Sequence, residues 1–440
     1  MSEQGQLKRE RVGLLVLIGY CAILLLAPPL PFEVEFASRG LKLDQLLLLP
    51  IVLALARTDS MALSQALRER SLGPAWAFAA LSALSALWSL AFVPSASTGG
   101  AVAGTWGTIR VPLVLLLGLM VGFRMGAASR RAFAQVLLGL GVAIALFATA
   151  QLFRWEPFYG VSVAAFTRKS DFDLVLEALN VGRAYGTFDG QPNVLGSFGV
   201  LILALAGAEL VEARSGSRKA WLAVAGTAAL WIVAVSWSRG AYAGALAVVC
   251  MIAWRIARSR PVFSAFLVGA IVVAVYCALP DAPRERIAQL LSGSGSDTGE
   301  SIFDTRLPYW QTNWNLFLQS PLLGLRTMEA APLDSLYLGL LLVHGLAGGL
   351  AFALMIGIAV STLMRSSEGA PALRVACLMA TVGWLINGIS VPSFFGERVQ
   401  ELYFLTLGVS LARLPGTVAE TPSASVAAVP LDPHPIVRVP

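Results

Sequence analysis

Long apolar runs separated by short polar segments dominate the pattern of hydrophobic and polar positions along this chain. A helix needs about 20 apolar residues to cross a hydrocarbon layer about 30 Å thick, and most of the runs approach this length. The runs predict twelve membrane-spanning helices, at roughly 12–31, 40–56, 75–93, 105–123, 132–153, 191–211, 219–237, 239–257, 262–279, 333–363, 371–392 and 398–413. The predicted fold class is therefore an all-α polytopic membrane protein.

The composition excludes a soluble globular protein. Hydrophobic residues make up 57% of the chain and charged residues 13%, whereas about a quarter of the residues in soluble proteins are charged. The net charge of +6 comes from basic residues that stand in twos and threes between apolar runs, so we expect no nucleic-acid binding. The cysteines lie inside apolar runs without metal-binding spacing and are predicted to be core residues: Cys21, Cys250, Cys277 and Cys377.

The basic residues favour one side of the membrane. Lys8, Arg9 and Arg11 precede the first run, and the short loops after every second run are also basic. By the positive-inside rule these segments face the cytoplasm, and twelve helices then place both termini there.

Two segments on the predicted outer side are long, at about 154–190 and about 280–332. Loops of this length in a compact protein are usually functional, so we expect the chemistry to face outward. Residues 1–414 are predicted to form one membrane domain. Residues 415–440 are rich in Pro, Ala and Val with almost no charge, which predicts a disordered cytoplasmic tail.

Five arginines fall on the predicted outer side, where the positive-inside bias does not explain them: Arg183, Arg239, Arg306, Arg326 and Arg398. A guanidinium group binds phosphate oxygens through two hydrogen bonds and stays charged. Several such groups at one outer surface would suit a diphosphate. Each could instead pair with a nearby acid or with a lipid headgroup.

Arg239 is the most specific of these arginines. It lies in the turn Ser236-Trp237-Ser238-Arg239-Gly240, where the seventh predicted helix ends and the eighth begins. The guanidinium and the first amides of the eighth helix would face outward together, an arrangement that favours a bound anion.

Arg183 opens a polar segment that runs into the sixth predicted helix. Pro192 near the helix start, with Gln191 and Asn193 beside it, places amide side chains at the outer mouth of the bundle. These amides are candidate substrate contacts, and capping of the helix is the alternative.

Arg306 precedes Trp310 by four residues and Trp314 by eight, so all three would share one face of a helix. Aromatic rings stack on sugar rings, but they also anchor helices at a membrane interface. We favour the anchor interpretation for the tryptophans and keep Trp310 as a candidate substrate contact.

Asp334 lies where the second long segment enters the tenth predicted helix. Its carboxylate could cap the helix, or it could act as a general base on a sugar hydroxyl. His344, about ten residues into the helix, is expected to be a packing or hydrogen-bonding residue.

Motifs for several other chemistries are missing from the sequence. There is no Walker A motif, no HExxH, no GxSxG and no carboxylate cluster with metal-ligand spacing. ATP use and metal-dependent hydrolysis therefore have no sequence support, and we expect no cofactor.

The order and sidedness of these segments resemble the O-antigen ligase and polymerase superfamily, which assembles glycans of the bacterial envelope. The resemblance covers the topology with a large late loop and, most specifically, residues 183–350. Three fragments carry it: Arg183, Gly186, Pro192 and Asn193; the turn Ser236 to Gly240; and Arg306, Trp310, Pro321 and Gly324.

One departure from the family pattern bears on activity. Ligases of the family usually have His-Asn where the large loop enters the next helix, and here the aligned residues are Leu333-Asp334-Ser335, followed by Tyr337. Polymerases of the superfamily vary more at this point and often carry an acidic residue. The departure therefore favours a repeat-unit polymerase and makes Asp334 the candidate base.

The resemblance implies a metal-independent glycosyltransferase of the bacterial inner membrane with a periplasmic active site. Its donor would be a glycan linked to a polyprenyl diphosphate, and its acceptor a lipid-linked repeat unit or lipid A core. The implied roles are diphosphate binding for Arg183, Arg239 and Arg306, and catalysis for Asp334, Arg239 and Arg306. The implied substrate contacts are Gln191, Asn193, Trp310 and Tyr337. Membrane lipids are further partners, and the resemblance leaves room for a chain-length regulator.

Two rival functions stay open. One is a ligase that transfers finished glycan to lipid A core, which differs from the polymerase only in its acceptor. The other is a secondary transporter or flippase for lipid-linked oligosaccharide. Transporters usually carry charged or broken-helix sites near the midplane and two repeated halves. Here the unexplained arginines fall at the outer mouth, and only Arg110 suggests a charge at depth.

Overall fold

The computed structural model describes residues 3–28, 42–93, 96, 98–166, 172–257, 302–326, 335–365, 371–392, 394 and 397–413. Within these residues the chain forms fifteen α-helices and no β-strand. The helices are α1 (Glu3–Leu26), α2 (Leu43–Thr58), α3 (Ser60–Leu67), α4 (Leu72–Phe92), α5 (Thr98–Gly122), α6 (Ala127–Leu152), α7 (Phe158–Phe166), α8 (Phe172–Asn180), α9 (Pro192–Glu212), α10 (Gly216–Ser236), α11 (Arg239–Ala257), α12 (Ile302–Gln319), α13 (Leu336–Arg365), α14 (Pro371–Asn387) and α15 (Glu397–Leu411).

Seven of the described helices are long and apolar enough to cross a membrane, namely α4, α5, α6, α9, α10, α11 and α13. Helices α2 and α3 meet at a bend of 112° and would together make an eighth span, and α14 is apolar but shorter. The chain is an all-α polytopic membrane protein, as the apolar runs predict. The number of twelve spans stays a prediction, because the predicted span 262–279 lies outside the described residues, as does the predicted tail 415–440.

Helices α5 and α9 form the centre of the bundle, and each is buried along most of its length. Small residues allow the closest contacts. A β-carbon on Gly408 of α15 would lie 2.6 Å from the carbonyl oxygen of Leu115 in α5, and one on Gly199 of α9 would lie 3.0 Å from that of Ala229 in α10. Close approach through small residues is the usual way in which membrane helices pack.

The two ends of the bundle carry different segments of the chain. At one end, called here the basic end, the Arg130 guanidinium donates to the carbonyls of Gly122 (2.8 Å) and Arg413 (3.2 Å). At the opposite end, called here the loop end, α1 and α10 finish and α9, α11 and α13 begin. The described residues predicted to bind substrate therefore lie at the loop end, away from the short basic loops.

Helix α13 is broken inside its apolar sequence. Gly345 has φ 64° and ψ −174°, a backbone conformation that only glycine adopts readily. The segment after α12 fills the break: the Leu325 N–H donates to the carbonyl of Leu342 (2.6 Å), and the Leu346 N–H donates to that of Pro321 (2.8 Å). The backbone groups freed by the break are thus paired within the protein, as a membrane interior requires.

The cysteines divide between core and surface. Cys21 and Cys377 are buried, as predicted, and neither is in a disulfide. Cys250 is exposed on α11, so its assignment to the core was wrong. Only 28% of the apolar stretch of α11 is buried inside the bundle, so an apolar run here does not by itself mark a core position. Cys277 lies outside the described residues.

Candidate functional site

Arg183 and Asn193, 10 positions apart in the sequence, are in direct contact at the loop end. The Arg183 Nη2 donates to Oδ1 of Asn193 (3.2 Å), and its Nε donates to the carbonyl of Ser236 at the end of α10 (3.3 Å). The backbones of the two segments are also hydrogen-bonded, since the Ala184 N–H donates to the carbonyl of Val235 (3.0 Å). The structure therefore brings the predicted Arg183 segment against the turn that carries Arg239.

The turn between α10 and α11 is held by its own serines. Trp237 has φ 53°, which ends α10, and the Ser238 N–H donates to the Ser236 hydroxyl (3.2 Å). The Ser238 hydroxyl then accepts from the N–H of Ala241 (3.4 Å) and caps the start of α11. Arg239 opens α11 at this capped end and is half-buried. The position matches the prediction of a guanidinium beside a helix N-terminus.

Gln151 fixes the segment that follows Arg183. Its Oε1 accepts from the N–H groups of Tyr185 (3.2 Å) and Gly186 (2.8 Å), and its Nε2 donates to the carbonyl of Gly186 (2.8 Å). Gln151 is buried, so these bonds take the place of water. The sequence offers one signal for this role, a lone amide near the end of an apolar run.

Gln191 stands at the N-cap of α9, ahead of Pro192. Its side chain makes no capping hydrogen bond, so helix capping does not explain this glutamine. It is half-buried at the loop end, two residues from the exposed Asn193. Its role as a substrate contact stays a prediction.

A cleft of about 630 Å³ opens between α12, the start of α13 and the end of α14. Its walls include Trp310 and Trp314 from α12 and Tyr337 from α13. Tyr337 is 43% exposed, and its hydroxyl donates to the carbonyl of Leu385 (2.7 Å), which holds the ring in place. The volume of the cleft lies within the range of about 300–1,000 Å³ that is usual for pockets that bind small molecules.

The chain around the C-terminal end of α14 connects the cleft to the turn from Ser236 to Gly240, called here the arginine turn. Gly240 packs so tightly on Asn387 and Ser390 that a β-carbon there would overlap both side chains. Next to them, the carbonyl of Gly388 accepts from the N–H of Leu336 (2.7 Å), and Ile389 lines the cleft. One short segment of chain therefore contacts both predicted parts of the site.

The two remaining predicted residues have different outcomes. Arg306 lies on α12 one turn before Trp310 and is half-buried, and it is not among the residues that line the cleft. Asp334 lies outside the described residues, so its assignment as a base stays a prediction. The described chain resumes at Ser335, which lines the cleft.

Arg398 is a buried structural arginine and not part of an outer phosphate site. It donates to the carbonyls of Thr187 (2.8 Å) and Ala27 (2.7 Å), and its guanidinium lies 3.4 Å from the Asp189 carboxylate. Lys42 pairs with the same carboxylate at 2.5 Å. This Lys42–Asp189–Arg398 cluster ties the segment after Arg183 to α1, α2 and α15.

A second buried ion pair lies deeper in the bundle. Arg110 of α5 pairs with Glu401 of α15, and the Tyr20 hydroxyl donates to the same carboxylate (2.7 Å). Asp44 is also buried and interacts electrostatically with Glu401, but neither of its oxygens has a hydrogen-bond partner among the described residues. Sequence reasoning missed these acids, although their positions inside apolar runs were a visible signal.

Arg326 enters the bundle from the segment after α12. Its Nη2 donates to the Ser82 hydroxyl (2.5 Å), its N–H donates to the Ser89 hydroxyl (2.8 Å), and Gly104 leaves space for the guanidinium. Within the described part of the chain it forms no ion pair. Burial lowers the pKa of Arg326 to about 10, so it remains charged at neutral pH.

No protein-family model matches the chain, and no curated protein matches it. Among the described residues, no group of three or more His, Cys, Asp or Glu side chains is placed to hold a metal ion. The arginine turn, the Arg183–Asn193 contact and the aromatic cleft are the features of the described chain that bear on function.

Proposed function

We propose that this chain is a membrane glycosyltransferase that joins a polyprenyl-diphosphate-linked glycan to an acceptor sugar. One observation carries the proposal: residues 387–390, where α14 ends and the following turn begins, contact Gly240, next to Arg239, and also line the cleft that contains Trp310 and Tyr337. Cationic groups at a helix start suit a diphosphate, and aromatic walls suit a sugar ring. Transfer of a glycan from a diphosphate-linked donor to an acceptor sugar requires both kinds of group close together.

The proposed reaction is a displacement at the anomeric carbon of the donor. The acceptor hydroxyl oxygen bonds to that carbon, the bond from carbon to the diphosphate oxygen breaks, and its electron pair leaves with the diphosphate. Arg183, Arg239 and Arg306 are assigned to stabilise the charge that grows on this leaving group. Asp334 is assigned to accept the hydroxyl proton. The donor is already activated, so no nucleotide is consumed, and an in-line attack inverts the anomeric centre.

The acidic Asp334, at the position where ligases of the similar superfamily carry His-Asn, supports repeat-unit polymerisation of O-antigen or exopolysaccharide. We assign the reaction to the periplasmic face of a bacterial inner membrane, because the arginine turn lies opposite the basic end. Transfer of finished glycan to lipid A core is the closest alternative. It differs only in the acceptor.

The test is the length distribution of surface glycan on a gel, in a deletion strain complemented with wild type or with Arg239→Ala. Loss of long chains, with single repeats still transferred, is the expected result. Loss of every attached chain together with accumulated lipid-linked polymer would instead establish the ligase. Arg131→Ala, which removes an exposed arginine at the basic end, is the matched control and should give normal chains.

A transporter or flippase for lipid-linked oligosaccharide is the second candidate, and two observations favour it. Helix α13 is interrupted at Gly345, and buried charges such as Arg110 and Glu401 lie inside the bundle. Interrupted helices and buried ions mark the binding sites of many transporters. An unchanged glycan pattern with Arg239→Ala, at normal protein level, would favour this candidate over the glycosyltransferase.

A further inference from the structure

The described residues that line the cleft beside α12 are uncharged and mostly apolar or aromatic, with Leu338 and Ile389 beside the aromatic rings and a few polar side chains among them. Trp314 is 44% exposed and Tyr337 43% exposed, so both present ring surface to the opening. Gln311 and Asn315 add two primary amides on the same helix, and Ser335 adds a hydroxyl. No Asp, Glu, Lys or Arg is among the residues that line the cleft in the described chain.

Each part of this lining matches a part of a pyranose ring. The apolar faces of the ring, with their C–H bonds, pack on aromatic surfaces, and the equatorial hydroxyl groups exchange hydrogen bonds with amides, which can both donate and accept. Tyr337 is suited to a fixed wall, because its hydroxyl is already bonded to the Leu385 carbonyl. Trp314 is supported from behind by Phe317, with ring centroids 5.1 Å apart.

We propose that this cleft is the acceptor subsite of the enzyme and that it selects an uncharged pyranose over a uronic acid. The inference rests on the proposed function. Among the described residues that line the cleft there is no cation, so a carboxylate bound there would lose part of its hydration without gaining an ion pair from them. Ser335 lines the cleft and directly follows the assigned base in the sequence, so we assign this cleft to the acceptor and the arginine turn to the donor diphosphate.

Saturation-transfer NMR on the full chain in nanodiscs tests the proposal, because it detects weak binding of small sugars. The neutral probes are the methyl glycosides of glucose, galactose and N-acetylglucosamine. The charged counterparts of the first two are the methyl glycosides of glucuronic acid and galacturonic acid, called uronides below. At least one neutral glycoside should receive saturation. Its matched uronide should bind more weakly by a factor of about five or more. Equal or tighter binding of the uronides, or no binding of any neutral probe, would overturn the assignment.

Variants locate the binding. Trp314→Ala should weaken the neutral glycoside about tenfold, Trp314→Phe should restore part of the loss, and both should leave the protein monodisperse. Trp254→Ala is the control, since Trp254 is 69% exposed near the end of α11 at the basic end. If Trp314 only anchors α12 in lipid, Trp314→Ala will leave sugar binding unchanged, and the proposal fails.

A charge-introducing variant tests selectivity directly. Gln311→Lys places a cation in the cleft and should raise uronide binding relative to the neutral glycoside. An unchanged ratio would show that the uronide is excluded for another reason and would overturn the selectivity claim. The failure of this proposal can be told from the failure of the proposed function. If only the acceptor assignment is wrong, Arg239→Ala will still be defective in chain growth. If the proposed function is wrong, Arg239→Ala will leave chain growth intact whatever sugars bind.

Discussion

Gly324 and Gly345 meet backbone to backbone, so that a β-carbon on Gly324 would lie 2.5 Å from the nitrogen of Gly345. Both glycines have positive φ, 76° and 64°. No other residue type offers both the conformation and the space. This contact joins the end of the α12 segment to the break in α13, and it sets where the cleft-lining tryptophans lie relative to Tyr337.

The glycine contact predicts a large loss of stability on substitution. Gly345→Ala should lower the free energy of unfolding by about 2–4 kcal/mol, because a β-carbon is strained at this φ and collides with the Leu322 carbonyl. Unfolding by SDS in mixed micelles measures the loss. Gly357→Ala on the same helix is the control, since nothing lies within 4 Å of its β-carbon. An equal loss of stability at Gly357 would contradict the strain and collision expected at Gly345.

The Lys42–Asp189–Arg398 cluster predicts a strong effect of removing its only carboxylate. Asp189→Asn would leave two buried cations without their counter-ion and should cost about 3–5 kcal/mol in mixed-micelle unfolding. Asp173→Asn, at an exposed position at the start of α8, should be neutral. Adding Lys42→Met to Asp189→Asn should recover part of the loss. Strict additivity of the two changes would contradict the cluster as described.

Gly104 and Arg326 should be strongly coupled. Gly104→Ala should destabilise the protein by about 1–3 kcal/mol, because the new methyl group occupies the space of the Arg326 guanidinium. In an Arg326→Ala background the same substitution should be close to neutral. The difference between the two backgrounds, measured by thermal unfolding, is the readout. Gly139→Ala, with an open environment, should show no such difference.

The contact between Arg183 and Asn193 predicts a functional effect without a large loss of stability, since both side chains are partly exposed at the loop end. Arg183→Ala should abolish long glycan chains, and Arg183→Lys should not restore them, because an ammonium group cannot bridge Asn193 and the Ser236 carbonyl in the same way. Chain length on a gel and protein level on a blot separate activity from folding.

Arg154→Ala is the control for this experiment. Arg154 is another exposed arginine at the loop end, and it bonds to Asn180 and not to the arginine turn. Normal chains are expected from it. A defect equal to that of Arg183→Ala would mean that any loss of positive charge at this end suffices, and the specific role of Arg183 would be lost.

The sequence predicts local features of this protein well. Apolar runs mark most of the described long helices, and the turn from Ser236 to Gly240 stands where a helix start was expected. Both features depend on neighbours in the chain: the period and length of apolar residues, and the capping chemistry of serine. The same holds for the placement of Arg183, Gln191 and Asn193 at one end of the bundle.

Features that depend on distant residues were not predictable in this way. The break at Gly345 exists because the segment of Pro321 to Leu325 supplies partners for the freed backbone groups. Arg326 and Arg398 were grouped with the outer arginines by position, yet Ser82 and Asp189, more than 200 positions away, draw both into the bundle. Such pairings follow from helix packing, which the apolar pattern alone does not specify.

The ion pair of Arg110 and Glu401 also constrains how the protein is assembled. The two residues are 291 positions apart, so Arg110 is synthesised and placed in the membrane well before its carboxylate exists. A lone guanidinium within a span is costly in hydrocarbon, and Asp44 of α2, which interacts electrostatically with Arg110, is the acid that is synthesised before it. We expect that docking of α15 completes the buried pair and closes the bundle around α5.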